Sequence, residues 1–172
     1  MSQKKLVSIV FLLGYLVWSV LFPPDPPKKQ VKPVEILHNA ASSSASFVVR
    51  VVDGDTIEIE GGQKVRYIGI NSPESVDPRR PVACFGKEAH AENVKLVEGK
   101  MVRLEKDVSD MDKYGRLLRY VYVGDVFIND YLVRQGFASA STYPPDVLFA
   151  ETFKKAQSEA QTNNRGLWKT CQ

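Results

Sequence analysis

The chain has 172 residues, 44% of them hydrophobic, with a formal net charge of +3 and two cysteines, which suits one ordinary domain with a sizeable core. The charge excludes a domain that draws polyanions through its overall field: Lys4, Lys5, Lys28, Lys29 and Lys32 against Asp25 and Glu35 supply the whole excess, so the remainder is neutral. His38 and His90 have no metal-ligand spacing and no Cys/His cluster accompanies them, which argues against a zinc site.

The first 46 residues stand apart from that domain. Lys4-Lys5 precede Leu6 to Phe22, an uncharged, mostly apolar run at the lower limit for spanning a bilayer and longer than most signal-peptide cores. It is apolar all round, with Gly14 and Trp18 inside, so a buried amphipathic helix is disfavoured. Phe22-Pro23-Pro24-Asp25 offers no small-x-small cleavage site. The expectation is therefore an uncleaved N-terminal anchor over residues 1–22 with the domain outside the cytoplasm, the alternative being secretion after signal cleavage. Residues 23–46, rich in proline and then in serine and alanine, read as a disordered tether.

From Phe47 the periodicity turns β: Phe47 to Val52, Ile57 to Ile59 and Val65 to Ile70 form a meander with turns at Asp53-Gly54 and Gly62-Gln63. Ser75 to Pro81 is a loop. Gly86 to Glu98 is helical, with Ala89, Val94 and Val97 on one face and Gly99 as the stop. Met101 to Glu105 alternates again, and Leu117 to Val123 with Val126-Phe127 makes a hairpin. Asn129 is positioned to cap a short helix ending at Gly136, and Asp146 to cap a final helix in which Phe149, Phe153, Ala156 and Ala160 recur. Five strands and three helices fit an α+β domain, a five-stranded β-barrel of the oligonucleotide-binding (OB) type over residues 47–172.

Within about twenty residues the meander collects a carboxylate at Asp55, a cation at Arg66, an amide oxygen at Asn71 and a second carboxylate at Glu74. A hard divalent cation takes oxygen ligands and a phosphodiester needs cations around its oxygens, so this mixture suits metal-assisted phosphoryl chemistry. In a neutral domain, attraction for a polyanion must come from local clusters such as Arg66, Arg79, Arg80 and Arg116. Asp53-Gly54-Asp55-Thr56, then Arg66 through Ile68-Gly69-Ile70 into Pro73-Glu74, and later Asp112-Lys113-Tyr114-Gly115-Arg116, resembles the thermonuclease (staphylococcal nuclease) family in order and spacing. Leu132-Val133-Arg134-Gln135-Gly136 and Gly166-Leu167-Trp168 extend the resemblance over roughly residues 47 to 169.

The resemblance implies a calcium-dependent phosphodiesterase, an endonuclease acting on DNA and RNA. It makes Asp55, Asn71 and the Ser72 carbonyl the metal ligands, Glu74 the general base, and Arg66 and Arg116 the groups that hold the phosphate. Asn71 departs from the family, which usually has aspartate there; an amide oxygen still coordinates calcium but brings no charge. Tyr114 matches a substrate-site tyrosine, Tyr143 is a looser match for similar work, and Arg79 and Arg80 are placed to meet the nucleic-acid backbone. Arg103 and Arg119 read as solvated strand faces. In an exported chain the pair Cys84 and Cys171 suggests a disulfide. A monomer is expected, and the rival reading is a non-catalytic OB-fold nucleic-acid-binding module.

Overall fold

The computed structural model describes residues 44–75 and 81–171; the expected anchor, most of the tether and the loop arginines Arg79 and Arg80 lie outside the described residues. Chain order is β1 (Ser44–Asp53), β2 (Thr56–Ile59), β3 (Lys64–Tyr67), β4 (Ile70–Asn71), α1 (Gly86–Val97), β5 (Met101–Glu105), β6 (Leu117–Val123) and β7 (Val126–Phe127). Then come α2 (Ile128–Arg134), β8 (Ser139–Ala140), α3 (Ala150–Thr162) and the single turn α4 (Leu167–Thr170).

The sheet runs β3-β2-β1-β5-β6-β7, and a further pairing of β3 with β6 closes the first five strands into a barrel. β1 serves two partners along its length. Ser44 to Phe47 pair antiparallel with β5, whereas Val48 to Asp53 pair with β2 through two register shifts. Such bulges bend a strand, which lets β1 turn a barrel corner. Strand pairing thus begins at Ser44, three residues before Phe47. The closing seam is parallel, with Val65 opposite Leu117 and Arg66 opposite Leu118. The expected third strand, Val65 to Ile70, is in fact two: the chain turns at Ile68-Gly69, and β4 leaves the barrel to pair with β8.

Inward side chains of all five strands fill the barrel, among them Val48, Ile57, Val65, Leu104 and Val121. Ile128 and Leu132 of α2 and Phe153 and Ala156 of α3 continue the same core. Tyr120, Phe127, Phe149 and Phe153 form an aromatic cluster under α3, with Tyr120 edge-on to Phe149 at 4.7 Å between centroids.

Two expected caps turn out to be tertiary ties. Asn129 lies inside the first turn of α2, fully buried; its Oδ1 accepts from the Val121 N–H and its Nδ2 donates to the Ile68 carbonyl, both at 2.9 Å. Asp146 precedes α3 by four residues, and its Oδ1 accepts from the N–H groups of Val108 and Ser109 at 3.0 and 2.7 Å. In both cases distant backbone donors compete successfully with the local helix end. Arg119 is likewise no solvated face: its side chain is 12% exposed, and the guanidinium binds Asp110 and the carbonyls of Asp110 and Leu118. Arg103 does face outward, paired with Glu105 and stacked 4.0 Å from the Tyr122 ring centroid.

Candidate active site

The barrel register assembles the site. Asp55 immediately precedes β2, and because Thr56 pairs with Arg66 across β2 and β3, the arginine stands beside the aspartate. Nη2 of Arg66 lies 3.1 Å from Oδ2 of Asp55 and donates to Oδ1 of Asn71 at 3.1 Å, while Nη1 donates to the Tyr67 carbonyl at 3.0 Å. Asp55 is only 5% exposed and is well supplied with donors: the Ser72 N–H reaches Oδ2 at 2.7 Å and the Thr56 hydroxyl reaches Oδ1 at 3.1 Å. Burial of an ionised carboxylate requires such satisfaction. Gly54 makes the approach possible, since a Cβ there would lie 2.7 Å from Cβ of Ser72 and 3.1 Å from that of Ala89.

Arg116 comes from the other side of the seam, one residue before β6. A tight turn over Asp112 to Arg116 folds the guanidinium back onto Asp112, with Nε and Nη2 both 2.6 Å from Oδ2. Burial would raise the Asp112 carboxyl, but hydrogen bonds from the backbone and side chain of Arg116 and from the Tyr114 N–H hold it below its ordinary value. Tyr114 projects from this turn, 72% exposed, with the Arg116 guanidinium 5.4 Å from its ring centroid; Tyr143 is 74% exposed.

Arg66, Asn71, Arg116, Tyr114 and Tyr143 all line one open cleft of about 850 Å³. Asp55 and Ser72 do not line the cleft themselves; Asp55 touches its wall through Arg66, and Ser72 is bonded to Asp55. Glu74 is half-buried two residues beyond Ser72 and is not part of the cleft wall. Its charge is felt by Asp53, whose carboxyl is raised by burial first and further by Asp55 and Glu74, against hydrogen bonds from Ser75 and Gly54. The Ser75 hydroxyl donates to Oδ1 of Asp53 at 2.5 Å, which ties the chain after Glu74 to the turn before Asp55.

Sequence reasoning missed Asn93. Fully buried on α1, it accepts from the Tyr67 hydroxyl at 3.0 Å and donates to the Asp53 carbonyl at 3.0 Å, linking the barrel core to the same turn. Burial leaves the Tyr67 hydroxyl strongly resistant to ionisation. The signal was present: Ala89, Asn93 and Val97 are four apart, which puts an amide on the buried stripe of the helix.

Among the described residues no three His, Cys, Asp or Glu side chains are grouped to hold a metal. The oxygens around Arg66 are instead those of the Asp55 carboxylate and the Asn71 amide, an all-oxygen pair that carries one formal negative charge and whose chemistry fits a hard cation. Two guanidinium groups facing one cleft, with carboxylates behind them on a closed five-stranded barrel, are suited to holding a phosphate-bearing ligand.

A family model described as staphylococcal nuclease homologue matches residues 64–170. The chain is 43% identical over 173 residues to a thermonuclease of Staphylococcus intermedius, covering 96% of this chain and 99% of the relative. It is 39% identical over 131 residues to a thermonuclease of Staphylococcus hyicus, with 74% and 78% covered. It is 37% identical over 124 residues to endonuclease YncB of Bacillus subtilis, with 69% and 59% covered. The chain belongs to the staphylococcal nuclease family, as its motifs implied.

Proposed function

We propose that this chain is a calcium-dependent endonuclease that hydrolyses phosphodiester bonds in DNA and RNA. The observation that carries the reading is the convergence of Arg66, on one strand of the closing seam, and Arg116, in the turn that enters the other, on one cleft flanked by exposed tyrosines. Guanidinium groups donate paired hydrogen bonds to phosphate oxygens and stay charged throughout. In the resting site Arg66 is engaged by Asp55 and Asn71, and Arg116 by Asp112. Each exchanges part of that contact for a phosphate oxygen on binding, and both stabilise the charge that grows in the transition state.

Glu74 takes the proton of the attacking water. Asp55, Asn71 and the Ser72 carbonyl would hold calcium, which when bound supplies Lewis-acid polarisation of the scissile phosphate. Tyr114 and Tyr143 stack on bases or hold flanking phosphates without reading sequence. We further propose that the Leu6 to Phe22 run tethers the domain outside the cytoplasm and that the domain acts as a monomer.

The test is cleavage of single-stranded DNA, duplex DNA and RNA by the purified chain with calcium, with other divalent ions and with chelator. Calcium-dependent cleavage abolished by chelator is expected. Binding without cleavage under every ion would sink the enzymatic reading and leave a nucleic-acid-binding barrel.

A further inference from the structure

The backbone that carries Glu74 is gripped by the segment that leads into α1. The Ala83 N–H donates to the Glu74 carbonyl at 2.8 Å, and Gly86 lies so close that a Cβ there would stand 2.6 Å from the same oxygen. Between these two residues lies Cys84, bonded to Cys171 with 5.8 Å between Cα atoms and 87 residues of sequence separation. Cys171 closes α4, where its N–H donates to the Leu167 carbonyl at 2.9 Å. Leu167 in turn donates to the Gly136 carbonyl at 2.9 Å, just past α2. A continuous path therefore runs from the Glu74 carbonyl through Ala83 and Cys84, across the disulfide, to helices of the core. Both cysteines are exposed, so a thiol in solution reaches the bond.

We propose that the Cys84–Cys171 disulfide is a positioning element for Glu74 and that its reduction by a dithiol lowers turnover. The inference rests on the assignment of Glu74 as general base. In the exchange, one thiolate of the dithiol attacks a cysteine sulfur and the S–S bond breaks. The second thiolate resolves the mixed disulfide, leaving two cysteine thiols and an oxidised cyclic dithiol. Phe85 stacks on Phe137, 5.6 Å between centroids, a contact that does not depend on the S–S bond and is expected to keep α1 seated. What is lost is the covalent fix on Ala83 and hence on the Glu74 backbone. A general base displaced by a fraction of an ångström still works, only more slowly.

The experiment compares the full chain, in mild detergent, before and after dithiothreitol, with free thiols titrated and far-UV circular dichroism recorded at the assay temperature. Reduction is expected to lower kcat roughly tenfold with KM unchanged, with the fold retained and activity restored on reoxidation. The double variant C84S/C171S should have the lowered kcat and ignore dithiothreitol. The residual rate of Glu74→Gln should also ignore it, because a misplaced base costs nothing once the base is gone. Equal kcat in both redox states would overturn the proposal, as would unfolding on reduction or an equal fractional loss in Glu74→Gln. If the oxidised wild-type chain cleaves nothing, the nuclease reading itself falls and this inference with it.

Discussion

Arg66 and Asp55 meet at 3.1 Å with their side chains only 17% and 7% exposed, and the same guanidinium nitrogen also holds Asn71. One cation thus already bridges the two side-chain oxygens proposed to receive another. Only one of those oxygens belongs to a carboxylate, so the charge available to a metal is small.

Asn71→Asp is therefore expected to lower the calcium concentration that gives half-maximal activity, since oxygen sites tighten with ligand charge. Calcium titrations of activity check this. Overlapping curves for parent and variant would mean that position 71 is not a ligand.

Replacing either Arg66 or Arg116 with lysine keeps the charge and removes the planar fork. On the proposed mechanism, in which each arginine stabilises charge in the transition state, turnover should fall on the order of a hundredfold or more. Near-normal kcat in the lysine variants would show that net charge alone is needed.

Asp112 orients Arg116, and its pH dependence has a definite sign. Its folded pKa lies below the ordinary 3.8, so the ionised form's contribution is present above about pH 4 and is lost as pH falls through the folded value. Asp112→Asn should be less stable than the parent at neutral pH, with the gap closing below that range, and should show reduced kcat at neutral pH. Urea midpoints for both proteins between pH 2.5 and 7 measure the gap, and a gap that persists at the acid end rules out the carboxylate as its source.

Asn129→Ala strips the partner from the Val121 N–H and from the Ile68 carbonyl, both deep in the protein. Two buried unsatisfied groups predict a loss of about 3 kcal/mol. It should appear as a lower denaturant midpoint with an unchanged slope. A loss near that of an ordinary helix cap, about 1 kcal/mol, would place the residue's work at the α2 terminus after all.

The contrast between Asn129 and Arg66 shows what a sequence discloses. Alternation, turn residues and helical spacing located every barrel strand and the three longer helices, because those signals are local and act within a turn or a strand. Asp55, Arg66 and Asn71 were legible as a set because a short meander brings them together. Asn129, Asp146, Asn93 and Arg119 were misread or missed because what fixes them lies across the fold. Asn129 bonds to a residue 61 positions away and Asp146 to one 38 away. A polar residue next to a helix start looks like a cap unless its distant partner is known.

The parallel seam between β3 and β6 also sets the order in which the molecule becomes competent. Arg66 can be in place as soon as the β1-β2-β3 meander forms, since its neighbours are close in sequence. Arg116 joins it only after α1 and β5 have folded and β6 has docked against β3. Contacts between distant segments form late, because the entropy of the intervening loop opposes them. A half-made chain therefore holds one of the two proposed phosphate-binding arginines in place and lacks the other. On the proposed mechanism, a nascent or partly unfolded copy is latent, and nucleic acid is exposed to cleavage only once the barrel has shut.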